Sequence, residues 1–424
     1  MSFKWSVKKE MFMSKIKRMP ELLSKVGLIF LGILIALAVA EFAARLLGPP
    51  YEIGDEAHRS HQCDPQVGWR GVPNASMTIS WNNYTHQVDL NSQGMHDREH
   101  AVKKADHVFR ILMLGDSMVE ALEVAQNETS SHVLEEVLNS KAGPGIEFEV
   151  INAGIFAWGP PQELMYFRTE GYLYTPDLVL AVWFPGNDLL DVLPDHIMTG
   201  GPEGGVHCFA PYFEICAGQF DPEPWLAAPG IPPTWQKCSL YRRWITNVFN
   251  GIYNHSRLYQ RLTAATISVY DKDTFSTNLY APWLDFSRED DVLNYAYQIT
   301  KGTYSQLSNE ADKIGAKTAL IIAPVNQAVD VDVNPDHRAY MIAREPILRD
   351  ADPNLPYRVF FELMEAEGVP VLNLHPSFVS RVKEGGEPLF WSATAVHWNV
   401  LGNHLAGEKI AEWLIQQGLV PIGE

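Results

Sequence analysis

The sequence predicts an α/β protein: a parallel sheet with helices on both faces, carried behind an N-terminal transmembrane helix and broken by an irregular insertion. Three observations predict it. Short apolar, β-branched stretches alternate with amphipathic helical stretches from residue 107 onward, the pattern of strands joined by crossover helices. The alternation lapses between about 192 and 290, where Pro, Gly and Trp crowd together, and then resumes. Residues 26–40, VGLIFLGILIALAVA, carry no charge.

Lys4, Lys8, Lys9, Lys15, Lys17, Arg18 and Lys25 precede that run, against only Glu10 and Glu21. The helical pattern continues to Leu47 and stops at Pro49-Pro50. Residues 26–47 can therefore span a hydrocarbon core, which needs roughly 20 residues. Glu41 and Arg45 fall at i,i+4 near its end and can pair. Ala38-Val39-Ala40 resembles a signal-peptidase site, but the long basic stretch and the helix running past it fit a retained anchor better. The lysines of 1–25 then stay in the cytoplasm. Everything after Pro49 lies outside it, periplasmic or extracellular, with the bilayer as partner through 26–47.

Residues 48–105 read as a linker and lead-in, turn-rich, with short β-like pieces such as SMTISW. In 106–191, HVFRILML, EFEVINAG and DLVLAVWF are strands. The helices between them are SSHVLEEVLNS, with Val133, Leu134, Val137 and Leu138 on one face, and PPQELMYFRTEGY, opened by prolines. Residues 192–311 form an insertion or cap with little regular structure, apart from a helix around LYRRWITNVFNGIY and a long one over DVLNYAYQITKGTYSQLSNEADKIG. In 312–424, KTALIIAP and VPVLNL are strands and YRVFFELMEAEG is a helix. The closing helix, NVLGNHLAGEKIAEWLIQQG, turns Leu401, Leu405, Ile410, Trp413 and Leu414 inward and stops at Gly418.

The net charge of −18 argues against a nucleic-acid partner, since no basic surface is expected to neutralise phosphates. The four cysteines, Cys63, Cys208, Cys216 and Cys238, all follow the anchor, where disulfides are permitted. They allow three pairings, of which Cys208 with Cys216, in a Gly/Pro-rich loop, is the bridge expected. Without a CxxC, a thiolate zinc site is not expected.

Four stretches carry chemistry, each with a plainer alternative. In ILMLGDSMVE a strand ends at Leu114, Gly115-Asp116 turn the chain, and Ser117 opens a helix. Ligands in open α/β sheets gather at such strand ends, and helix-start N–H groups can hold a developing oxyanion; otherwise Asp116 or Ser117 merely caps the helix. In INAGIFAWG, Gly154 offers an N–H to the same crevice or is a turn glycine. In FPGNDLLD, the Asn187 amide is an oxyanion donor or part of an Asx turn. In HWN, His397 is a general base for Ser117 or a satisfied, partly buried imidazole.

Taken together, these blocks resemble the SGNH/GDSL hydrolase superfamily over roughly 107–191 and 312–424, most strongly in GDS and GND on consecutive strand ends. The anchor, the lead-in and HWN look like its membrane-anchored branch, some members of which act on acyl esters of extracellular sugars. The resemblance implies a three-layer α/β fold and a Ser–His mechanism of ester cleavage or acyl transfer. It casts Ser117 as nucleophile, His397 as base, and the Ser117 N–H, Gly154 N–H and Asn187 amide as the oxyanion hole. No metal or organic cofactor is implied.

The family pattern places an aspartate two or three residues before its histidine. Here those positions are Ala395 and Thr394. Changing that acid to a neutral amide in a serine protease costs about 10⁴ in rate. Thr394 Oγ1 or a backbone carbonyl could orient His397, and an acid from elsewhere, such as Glu120 or Asp188, is open. Two readings follow: a serine esterase, O-acyltransferase or deacetylase working through a Ser–His dyad, or a catalytically degenerate SGNH-fold subunit of a membrane complex. Trp225, Trp235, Trp244 and Trp283 of the insertion could line a sugar or acyl pocket or meet another subunit. DVDVNPDH resembles the start of a calcium loop, but Pro335 and Met341 stand where glycine and the bidentate glutamate belong; a solvated loop is expected.

Overall fold

A five-stranded, all-parallel sheet is the centre of the computed structural model of the chain, as the alternation predicts. The structure describes residues 2–46, 60–193 (except 65, 82 and 83), 211–226 (except 217 and 218), 256, 258, 291–334, 336, 339, 352–391 and 396–422. The helix near LYRRWITNVFNGIY, Thr394, Cys208, Cys238, Trp235, Trp244 and Trp283 lie outside these residues, as do the side chains of Cys63, Cys216 and Trp225. The chain divides into two units, 1–52 with 251–271, and 53–250 with 272–424.

In the first unit, helix α1 (Ser2–Leu46) contains an apolar stretch, Ser24–Leu46, of mean hydropathy 2.5. Leu28, Ile29, Phe30 and Phe42 are exposed along it. Glu41 and Arg45 pair at 2.7 Å. The helix is long and apolar enough to serve as an anchor or as a signal sequence.

The second unit opens with two antiparallel pairs, β1 (His61–Asp64) with β2 (Gly68–Gly71) and β3 (Ser76–Trp81) with β4 (Tyr84–Asp89). The second pair follows the two-residue period of its sequence. Met77, Ile79 and Val88 turn inward onto Leu90 and Leu122. On the opposite face, Ser76 donates to Asp89 at 2.6 Å and Thr78 to Gln87 at 3.1 Å, the cross-strand pairing that holds a register. Gly71 and Gly94 touch so closely that a Cβ on Gly71 would lie 1.8 Å from the Gly94 carbonyl oxygen.

The parallel sheet is built from β5 (Val108–Gly115), β6 (Glu147–Gly154), β7 (Leu178–Trp183), β10 (Lys317–Ile322) and β11 (Val371–Asn373), in the order β11-β10-β7-β5-β6. Numbered by position within the sheet's own sequence, this is the 2-1-3-4-5 doubly wound order, with its switch point between β5 and β7. The central strand β7 is buried along its whole length, as expected of a strand covered on both faces. Helix α3 (Ser130–Ser140) packs on β6 and on α10 (Val400–Gln416). A second set, α4 (Pro160–Thr169), α6 (Asp291–Lys313) and α8 (Leu355–Ala366), packs side by side, and Phe360 of α8 stacks on Trp183 with ring centroids 4.0 Å apart. The long helix α6 is the crossover from β7 to β10, lying against α4, α8 and β10.

Three local expectations change. Leu401 is exposed; the buried stripe of α10 runs through Gly402, Asn403, Ala406, Gly407, Ile410, Ala411 and Leu414. The small residues let α10 approach α3 closely: a Cβ on Gly407 would meet the Ser130 carbonyl and Val133 at 2.7 Å. Within the insertion, β8 (Pro211–Cys216) and β9 (Gln219–Leu226) form an antiparallel hairpin, which its prolines hide from a periodicity reading; Phe213 is fully buried and packs on Phe220. Asp330 and Asp332 stand on helix α7 (Asn326–Val333), not in a loop, and Asp332 pairs with His375 at 2.8 Å.

Candidate active site

Ser117 begins α2 (Ser117–Glu120), a single turn following β5. Asp116 caps it, its Oδ1 accepting the Met118 N–H at 2.8 Å, so the Asp116 reading as a cap holds and leaves the serine free for other work. Ser117 is half-buried, and its N–H, in the first turn, has no acceptor within the helix. From the other end of the chain, the stretch before α10 delivers His397, whose Nε2 lies 2.7 Å from Ser117 Oγ.

The other ring nitrogen has an acid partner. His397 Nδ1 lies 2.8 Å from Glu123 Oε1, with the two side chains 16% and 14% exposed. With Nδ1–H donating to the carboxylate, Nε2 presents its lone pair to the serine hydroxyl. Burial by itself would lower the imidazole pKa, but the charge and hydrogen bond of Glu123, backed by Asp116 and Glu120, raise it above the ordinary 6.5. Burial likewise pushes the Glu123 carboxyl up, and His397 outweighs it, holding that carboxyl below 4.5.

Neither acid named from the sequence is the partner. Glu120 is fully buried; its Oε1 pairs with His61 at 2.8 Å and its Oε2 accepts the Phe156 N–H. Asp188, also buried, accepts the Phe184 N–H at 2.6 Å. Glu123 escaped sequence reading because the chain reverses immediately after one helical turn. Ala121 adopts a left-handed conformation, φ 51°, which folds the next residues back beneath the histidine. The signal available was an acid close behind the nucleophile in GDSMVEALE.

Gly154 ends β6 beside Gly115 of β5. Its N–H donates to Asn152 Oδ1 at 3.1 Å. A Cβ there would lie 2.4 Å from the Glu120 nitrogen and 2.5 Å from Val119, so the glycine allows α2 to sit against the sheet. Asn187 stands just before α5 (Asp188–Asp191) without a capping bond to it through its side-chain oxygen; its amide donates to Asp191 Oδ2 at 2.5 Å and to Asp116. The structure thus brings Ser117 and His397 together, with Asn187 bonded to Asp116 next to the serine and Gly154 packed against α2.

Close to these residues stand four acids, Asp116, Glu163 and Asp188 buried and Asp191 half-buried. Burial raises Asp116 to about 6 against the lowering influence of the Met118 N–H, His397 and Asn187; it raises Asp191 to about 7 and lifts Asp188 and Glu163 well above the carboxylate range, these three also pushed up by acidic neighbours. These groups repel a further negative charge and favour protonated forms. Among the described residues no group of three or more His, Cys, Asp or Glu side chains is arranged to hold a metal ion.

No family model and no curated protein matches the chain. Similar solved structures include the acetyl xylan esterase AlAXEase, at 12% identity over 72% of this chain and 99% of that one, TM-score 0.37. TesA is similar at 12% identity over 73% and 99%, TM-score 0.35. An acetylxylan esterase from Geobacillus stearothermophilus is similar at 11% identity over 73% and 94%, TM-score 0.38. At these values the likenesses add no weight to any residue's role. The sheet order and the flanking helices are those of a doubly wound α/β fold, and Ser117 stands just past the end of one of its inner strands.

Proposed function

We propose that the protein is a membrane-anchored serine esterase or O-acyl-transferring enzyme, its α/β domain outside the cytoplasm, acting on an acyl ester through Ser117, His397 and Glu123. The observation that carries this reading is the unbroken chain Ser117 Oγ–His397–Glu123, at 2.7 and 2.8 Å. It supplies the acid whose absence next to the histidine favoured a degenerate subunit.

In the mechanism, Ser117 Oγ attacks the acyl carbonyl while His397 Nε2 takes its proton. Glu123 fixes the imidazole tautomer and stabilises the imidazolium, a role worth several orders of magnitude in rate. The Ser117 N–H receives the oxyanion, joined by the Asn187 amide when it turns from Asp191 toward the acyl carbonyl; the Gly154 N–H is held by Asn152. The imidazolium protonates the departing alcohol, leaving an acyl-serine. His397 then deprotonates the acceptor, water for hydrolysis or a second alcohol for transfer, and Ser117 is regenerated. An acylated carbohydrate is the substrate class the family resemblance implies.

The test is covalent labelling with a fluorophosphonate. Ser117 is expected to be labelled in the full-length chain, and Ser117→Ala to lose both label and hydrolysis of a p-nitrophenyl ester. An unlabelled wild-type protein without esterase activity overturns the reading.

A further inference from the structure

The loop that carries Glu123 does not hold itself. Helix α2 ends after one turn, leaving carbonyls that a longer helix would have satisfied internally. Three side chains take them. Asn152 Nδ2 donates to the Val119 carbonyl at 2.8 Å, His96 Nδ1 to that of Glu120 at 2.8 Å, and His86 Nε2 to that of Leu122 at 2.9 Å. Both histidines belong to the lead-in and both are buried. Ala121, between the clasped carbonyls, is held at φ 51°, a conformation costing an alanine about 1–2 kcal/mol.

The β3–β4 hairpin grips the same loop from its other side. The Leu122 side chain is packed into the hairpin's own apolar cluster. Tyr84, two positions before His86 on β4, donates its hydroxyl to Glu128, and Glu128 in turn accepts the Ala125 N–H at 3.1 Å. Glu123 therefore stands between two anchored points, Leu122 and 125–128. Neither contact reaches Ser117 or His397 directly.

We propose that the lead-in is a positioning module for the catalytic acid: His96 and His86, donating to the Glu120 and Leu122 carbonyls, hold the reversal that presents Glu123 to His397. The inference rests on the esterase reading for its consequence in catalysis, though not for its geometry. His96 and His86 are positioning residues; losing either donor lets the loop relax and moves Glu123 off the imidazole. A misplacement of about 1 Å in such a constellation can cost about 10²-fold in rate.

The experiment uses the full-length protein in detergent micelles. His96→Ala and His86→Ala remove the donors. His96→Asn and His86→Gln restore an N–H near the position of the imidazole Nδ1 and Nε2 respectively. Tyr84→Phe, which removes a single hydroxyl, is the variant to use where the alanine forms do not fold. Two readouts are taken: kcat and KM for a p-nitrophenyl ester, and the titration of His397 by NMR with ¹³C-labelled histidine. Asp116 and Glu120, the other acids acting on His397, stay in place throughout.

The expected result is a kcat lowered about 10–100-fold with KM within about twofold, a His397 midpoint shifted down, and recovery in the Asn and Gln variants. Folded alanine variants with wild-type kcat and an unmoved His397 midpoint overturn the proposal, as does loss of activity that Asn and Gln do not rescue. Where wild-type Ser117 is itself unreactive, the esterase reading has failed on its own, and the His397 titration still decides whether the lead-in positions Glu123.

Discussion

Glu123 Oε1 stands 2.8 Å from His397 Nδ1, on the opposite side of the imidazole from Ser117 Oγ. Ser117 and Glu123 thus come from one short segment, and His397 arrives from the far end of the chain. The histidine is held on both nitrogens, so its tautomer is set by the fold.

Glu123→Gln is expected to lower kcat by about 10³–10⁴-fold while leaving KM nearly unchanged, because an amide can hold the ring but favours the wrong tautomer. Steady-state hydrolysis of a p-nitrophenyl ester measures it. A variant retaining activity within a few-fold of wild type removes Glu123 from the mechanism.

The acidic limb of kcat/KM should lie above the ordinary imidazole value of 6.5, because Glu123, Asp116 and Glu120 together outweigh burial and raise His397. The base works unprotonated, so a raised pKa moves the limb to higher pH. In Glu123→Gln the largest raising influence is gone and the limb moves down. A pH–rate profile of the two proteins checks the sign.

A second histidine tests stability rather than rate. His100, 1% exposed at its side chain, donates to Asp97 at 2.9 Å and to Glu149 at 2.7 Å. Burial would lower its pKa, yet the two carboxylates raise it to about 9. Its contribution is fully present below 6.5 and is lost as the pH rises through about 9. His100→Ala should therefore destabilise by about 3–5 kcal/mol at pH 7, the usual effect of removing one partner of a buried ion pair, and by clearly less at pH 10. Denaturant melts at the two pH values decide it; equal losses would show that packing alone is at stake.

The buried acids predict the reverse response to substitution. Burial lifts Asp191 from 3.8 to about 7. Its stability is fully present below 3.8 and is lost as the pH rises to about 7, beyond which the loss levels off. Asp191→Asn, which keeps an oxygen for the Asn187 amide, should melt higher than wild type at pH 8 and show a much smaller difference at pH 4. A Tm difference that does not change with pH would contradict the assignment.

How much of this was legible beforehand follows from the range of the interactions involved. The strands HVFRILML and DLVLAVWF, the helices between them and the apolar N-terminal helix are written in local periodicity and composition, and they stand where the sequence puts them. Ser117 and Asn187 could be named because strand ends and turn residues mark a crevice in any doubly wound sheet. Leu401 was misplaced because a helix's buried stripe depends on what it packs against, and the glycines of α10 set a different face toward α3. The hairpin of the insertion was invisible because prolines disguise its strands.

By itself, then, the sequence determined the α/β framework, the charge-free N-terminal helix and the candidate nucleophile, since each depends on neighbours within a few positions. Only the tertiary structure decided which acid serves the histidine. That choice depends on Ala121 adopting a left-handed turn, on Gly154 letting α2 settle against the sheet, and on His86 and His96 of a separate hairpin region clasping two carbonyls. None of these is a local preference of the Glu123 segment: an alanine avoids that conformation by itself, and long-range hydrogen bonds and packing impose it.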